Sequence, residues 1–165
     1  MLERTRARRQ ALQILYQREI TEQTVAQIIE GHSYSEEDGE PSDYCRALAL
    51  GTEVNCAVID GEIEATSQHW SLMRMPYVDR NILRLAVYEI LFEPDVPDSV
   101  AINEAVEMAK AYGTDDSPKF VNGVLGRIAE LHGAAIDPVV LTDVTADADA
   151  GLVEASEDAL GAEGV

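Results

Sequence analysis

The stretch Ile82, Leu83, Leu85, Ala86, Val87, Ile90, Leu91 constrains the fold more than any other. Plotted at 3.6 residues per turn it is apolar nearly all round. A helix with no polar face has to be covered by other elements on every side, so 80–92 is the expected central helix. Its Arg80 and Arg84 are predicted to share an exposed edge. Glu89 is left either to answer one of them or to face a partner.

The remaining chain supplies covering helices. Residues 3–20 carry an apolar stripe of Ala7, Ala11, Ile14 and Leu15, broadened by Leu12 and Tyr16. A short helix is predicted over 22–30, stopping at Gly31, followed by a polar loop from His32 to Pro41. Ser42 or Asp43 then caps a long helix reaching about Trp70, with Leu50, Val54 and Val58 as its buried stripe. Gly51 and Gly61 each cost about 1 kcal/mol relative to Ala inside a helix, so close approach to a neighbouring helix is the reason expected for them. Pro76 breaks the chain, Asp79 caps the central helix, and Val78 with Leu83 fits a hydrophobic staple. Pro94 and Pro97 enclose a connector. The next helix, 99–112, turns Ile102, Val106 and Ala109 inward and ends at a left-handed Gly113. The last runs from Pro118 to about Leu131 and ends at Gly133. No period-2 alternation lasts long enough for a strand, so the fold class is all-α.

At 165 residues with 46% hydrophobic and 5% aromatic composition, one aliphatic-cored domain with a tail is the expectation. No apolar run approaches the ~20 residues of a membrane span, and the Arg-rich start lacks a signal-peptide core, which points to a cytoplasmic protein. Cys45 and Cys56 read as reduced, buried thiols on a helix.

The net charge of −19 argues against nucleic acid only as an average. From Gly133 onward there are eight acids and no Lys or Arg, leaving −11 for the body. That segment, 133–165, reads as an acidic and largely disordered tail, with Val139-Val140-Leu141 able to dock. It either solubilises the chain or folds back to mimic a polyanion. Arg4, Arg6, Arg8 and Arg9, by contrast, crowd one helix end with only Glu3 against them. Either they form a solvated end or they bind an anion, and a local cluster steers a polyanion by its own field.

A second anion-binding candidate is the helix start Ser117-Pro118-Lys119-Phe120-Val121-Asn122. Ser117 can accept from a first-turn amide, and Pro118 sits where its missing N–H costs nothing. Val121, Val124, Leu125 and Ile128 claim the core face. Lys119, Phe120 and Asn122 remain, a cation, a ring and an amide beside unpaired backbone N–H groups. This turn and the arginine end are read as two halves of one RNA site. Phe120 is either a base-stacking ring or an ordinary core ring.

Nothing points to catalysis or to a cofactor. His32, His69 and His132 lack metal-ligand spacing, and no nucleophile elbow, P-loop or dinucleotide fingerprint is present. Asp115 and Asp116 suit a helix N-terminus without further purpose.

Four segments together resemble the bacterial transcription antitermination factor NusB family: RTRARRQALQILY (4–16), VDRNILRLAVYE (78–89), DVPDSVAINEAVEMAKAYG (95–113) and SPKFVNGVL (117–125). They follow the family's order and spacing across most of 4–131. The resemblance implies two small helical bundles of about seven helices over residues 1–132. It implies binding of boxA RNA from ribosomal RNA transcripts, a heterodimer with the ribosomal protein NusE, and assembly on RNA polymerase with other Nus factors to suppress termination. Carried over by position, the RNA surface is Arg4, Arg6, Arg8, Tyr16, Lys119, Phe120 and Asn122. Arg9 joins the cluster where many relatives have an acid. Pro118 and Gly126 replace a common His and a common acid. Other readings are a module of an RNA-modifying enzyme and a protein-interacting scaffold or homodimer without direct RNA contact.

Overall fold

The computed structural model describes residues 2–67 and 70–135. The helices are α1 (Leu2–Thr21), α2 (Val25–Glu30), α3 (Asp43–Val54), α4 (Cys56–Thr66), α5 (Tyr77–Phe92), α6 (Asp98–Tyr112) and α7 (Ser117–Ala135). Two single 3-10 turns, Glu36–Asp38 and Leu72–Arg74, complete the elements. Among the described residues there is no strand, as the patterning requires. Residues Met1–Ala129 form one compact unit. Helix α7 passes through Gly133 instead of stopping there. The acidic segment from 136 onward, with its expected docking run, lies outside the described residues, as does His69.

Helix α5 is the spine. It lies against α1, α3, α4 and α6, and Ile82, Leu83, Leu85 and Val87 are fully buried. Burial extends to its charges, so the exposed edge predicted for Arg80 and Arg84 does not exist. Instead Arg80 donates to Glu19 of α1 at 2.9 Å, and Arg84 forks onto Asp60 of α4 at 2.8 and 3.0 Å while also meeting Glu19. Carboxylates on flanking helices answer them because an unpaired ion inside a core costs several kcal/mol.

The single helix predicted over 42–70 is two helices, broken at Asn55, whose amide folds back to donate to the Gly51 carbonyl at 2.8 Å. The break shifts the helical phase. Cys45, Leu48, Ala49 and Thr52 face the core before it, and Ile59 and Ile63 after it. The Leu50–Val54–Val58 stripe therefore lies outside, with Val54 79% exposed. Cys45 is buried and its thiol is pushed up to about 12 by that burial, whereas Cys56 is only half-buried.

Local chemistry sets the other boundaries. Thr24 and Gln27 form a capping box at the start of α2, Oγ1 accepting from the Gln27 amide and Oε1 from the Thr24 amide. Helix α5 starts three residues earlier than predicted, at Tyr77, so Asp79 belongs to its first turn. Gly113 is extended, not left-handed. Glycine is needed there because a Cβ would lie 2.6 Å from Ser117 Cβ and Oγ.

Of the two helical glycines read as contact sites, Gly51 is one and Gly61 is not. A Cβ at Gly51 would drive into the Tyr88 ring, while at Gly61 it would meet open space. Gly51→Ala should therefore lower the unfolding free energy by about 1–3 kcal/mol through overpacking. Gly61→Ala should leave it unchanged or raise it by up to ~1 kcal/mol through helix propensity. Urea denaturation of the two variants separates these outcomes.

Candidate nucleic-acid interface

The four arginines of α1 do not act as one cluster, because helical phase sorts them. Arg4 and Arg8 are four residues apart and share one side, while Arg6, Arg9, Gln13 and Tyr16 recur at three and four residues along another.

Arg8 lies inside. Its Nε and Nη2 donate to both oxygens of Glu89 at 2.7 and 2.9 Å, and Nη1 lies 3.6 Å from Glu104. The Tyr44 hydroxyl donates to the same Glu89 at 2.7 Å. Burial works against the Arg8 cation, but the bonds to Glu89 outweigh it and its pKa rises. Burial likewise raises the Tyr44 hydroxyl, aided by Glu89. The expectation that Arg8 meets RNA is thereby corrected: its guanidinium is saturated by carboxylate inside the fold. The alternatives for Glu89 also resolve, onto Arg8 and not onto Arg80 or Arg84.

Arg4 is exposed, with its guanidinium 4.6 Å from the centre of the Tyr44 ring. A cation over an aromatic face keeps its charge available to solvent. Arg6 is exposed as well. Arg9 forks onto Asp38 at 3.0 and 2.5 Å, and Gln10 donates to the Asp38 carbonyl at 2.9 Å. The hydrogen-bonded Arg9 guanidinium holds the Asp38 carboxyl below its ordinary 3.8. Arg9 thus clamps the 36–40 loop, although 39% of its side chain stays in solvent.

At the other end of this face Tyr16 meets Tyr77 edge-on, with ring centres 6.2 Å apart. Leu12, Tyr16, Ile20, Val78 and Tyr112 border an apolar groove of about 390 Å³. Tyr77 and Tyr112 escape the sequence reading. Their only signal is that they are aromatic residues at the ends of α5 and α6.

Ser117 reverses the role predicted for it. Its Oγ accepts from the Thr114 amide at 2.9 Å and donates to Asp79 Oδ1 at 2.8 Å. The hydroxyl stitches the α6–α7 turn to the first turn of α5 and does not cap α7. Lys119 and Asn122 project into solvent, and Phe120 is half-buried. Phe120 packs on the core and also borders two hollows. One, of about 420 Å³, includes Lys119 and Gly123; the other, of about 400 Å³, includes Trp70 and Arg74. The ring is thus part of the core on one side and open to these hollows on the other. Tyr16 and Phe120 therefore flank one feature, the start of α5, where Tyr77 touches the first and Asp79 borders the pocket of the second. Arg4 lies twelve residues from Tyr16, roughly 18 Å along α1.

A sequence model of the NusB family matches residues 5–130. A transcription antitermination protein NusB of Desulfitobacterium hafniense is 45% identical over 132 residues, covering 78% of this chain and 89% of the relative. The chain belongs to the NusB family. Among solved structures, T. maritima NusB is 43% identical with a TM-score of 0.67, over 77% of this chain and 90% of that one. A chain in the crystal structure of antitermination factors NusB and NusE in complex with dsRNA is 29% identical, with a TM-score of 0.65 over 79% and 98%. The matched region of this NusB-family chain includes every RNA-surface candidate except Arg4 and ends before the acidic extension. Among the described residues no group of His, Cys, Asp or Glu could hold a metal ion, and no helix is long and apolar enough to cross a membrane.

Because Arg8 and Glu89 are buried together, removing either charge strands the other. Glu89→Gln and Arg8→Ala should each lower stability by about 3–5 kcal/mol in chemical denaturation. Arg6→Ala, at an exposed position without a structural partner among the described residues, should stay within about 0.5 kcal/mol of the parent.

Proposed function

We propose that this NusB-family chain is a transcription antitermination factor that binds a single-stranded, boxA-type RNA of ribosomal RNA transcripts. In this reading it acts as a heterodimer with NusE within an RNA polymerase complex containing other Nus factors, in the cytoplasm, and has no catalytic role. The observation that carries the reading is that Tyr16, against Tyr77, and Phe120, sharing a pocket with Asp79, both border the first turn of α5, with exposed Lys119 next to Phe120. Half-exposed rings beside a cation suit an unpaired strand, whose bases can be splayed and stacked, better than a duplex, whose bases are already stacked on one another. The similarity to a NusB chain solved with NusE and dsRNA supports an RNA- and NusE-binding role.

The RNA surface consists of Arg4, Arg6, Tyr16, Lys119, Phe120 and Asn122. Arg4, Arg6 and Lys119 neutralise phosphates, Tyr16 and Phe120 stack bases, and Asn122 clamps a base edge. Arg9 borders this surface and contributes while holding Asp38. Arg8 contributes only by fixing α1 on α5. A protein with net charge −19 can bind RNA in this way because these cations act within a screening length of their phosphates.

The exposed Leu50–Val54–Val58 stripe favours a second reading, a protein-contacting scaffold whose homodimer leaves no RNA site. An RNA-insensitive dimer in light scattering would support it.

Titration of a boxA-type oligonucleotide with NusE present tests the first reading. Affinity should fall steeply with salt, and Lys119→Ala should reduce the slope of log K against log salt by about 0.7, the share of one single-strand phosphate. Tyr16→Ala and Phe120→Ala should each weaken binding by about 1–3 kcal/mol. Salt-independent binding, or none, overturns the reading.

A further inference from the structure

The pocket on the far side of Phe120 is unlike the apolar groove at Tyr16. It measures about 400 Å³, within the range of small-ligand sites. Two aromatic rings from separate segments border it, Phe120 of α7 and Trp70 ahead of the Leu72–Arg74 turn. Trp70 is 55% exposed, so a flat ligand can reach its face. Two carboxylates, Asp79 and Asp116, border the same space, and exposed Arg74 adds a cation.

These groups select among the parts of an RNA strand. A phosphate cannot sit beside two carboxylates, because like charges at close range repel strongly where water is thinned. A base can: its π-face suits the rings, and its amino group is a donor that a carboxylate accepts. Uracil presents no amino group, so cytosine, adenine or guanine fits better. The strand's phosphate would stay outside, on Arg74. Asp79 is held in place by the Ser117 hydroxyl at 2.8 Å, which makes its carboxylate a fixed acceptor and not a mobile surface acid.

We propose that the pocket between Trp70 and Phe120 receives one amino-bearing nucleobase of the bound RNA, stacked on Trp70, with Arg74 on its phosphate. This rests on the reading of the chain as a single-strand RNA binder and extends the RNA path past Phe120 to the segment ahead of α5. Phe120 then presents aromatic surface to two hollows, the one shared with Lys119 and the one shared with Trp70.

Trp70 is the chain's one tryptophan, so its fluorescence reports on this pocket alone. The full chain, saturated with NusE whose own emission is subtracted, is titrated with a boxA-type oligonucleotide carrying a terminal dye, and dye anisotropy and tryptophan emission are followed together. Expected is quenching of Trp70 with the same midpoint as the anisotropy rise, and its loss when one amino-bearing base is made abasic. Trp70→Ala should weaken binding about tenfold, and Trp70→Phe, which keeps a ring, by much less. A rise in anisotropy with unchanged emission overturns the pocket assignment and leaves RNA binding standing. The absence of any anisotropy rise removes both. Quenching by NusE alone, with no further change on adding RNA, assigns the pocket to a protein contact and overturns the proposal.

Discussion

A helix buried on every side cannot hold a charge without a partner, and α5 holds Arg80, Arg84 and Glu89. The requirement for partners fixes how the neighbouring helices sit. Glu19 and Arg8 bring both ends of α1 onto α5, Asp60 brings α4, and Tyr44 brings the start of α3. Apolar contacts alone would tolerate sliding of aliphatic side chains past one another. Forked Arg–carboxylate bonds do not, because both donors must meet both acceptors at once. These buried ion pairs set register as much as they add stability.

The same constraint shapes the outward surface of α1 and α7. Tying Arg8 inward fixes the rotation of α1, and that rotation turns Gln13 and Tyr16 towards the groove that Tyr112 borders and leaves Arg6 exposed. The Ser117–Asp79 bond does for α7 what Arg8–Glu89 does for α1. It ties the first residue of α7, and with it the Lys119–Phe120 turn, to the first turn of α5.

How much of this was legible in the sequence depended on whether a pattern had a competitor. The all-α class, the burial of α5 and the core face of α7 were unambiguous, because no other period fits Ile82–Leu91 or Val121–Ile128. The 42–70 region offered two stripes of equal spacing. Leu50–Val54–Val58 looked the more apolar, yet the core took Leu48 and Thr52, then Ile59 and Ile63 beyond a break that only the Asn55 amide marks. The arginines were legible as a cluster but not as a divided one, since the carboxylate that claims Arg8 lies 81 residues away. Trp70, Tyr77 and Tyr112 could not be tied to the site at all. Each sits at or near a helix end, where sequence gives residue type but not the neighbour it will face.

The Arg8–Glu89 pair has a consequence for inheritance. Neither residue can change first without leaving a bare charge in the core, so the two positions are released together or not at all. A chimera that takes its first helix from one relative and its central helix from another keeps the fold only if both donors use the same pair. The exposed Arg4 and Arg6 carry no such tie, which leaves the outward side of α1 open to vary with its ligand while its inward side is fixed.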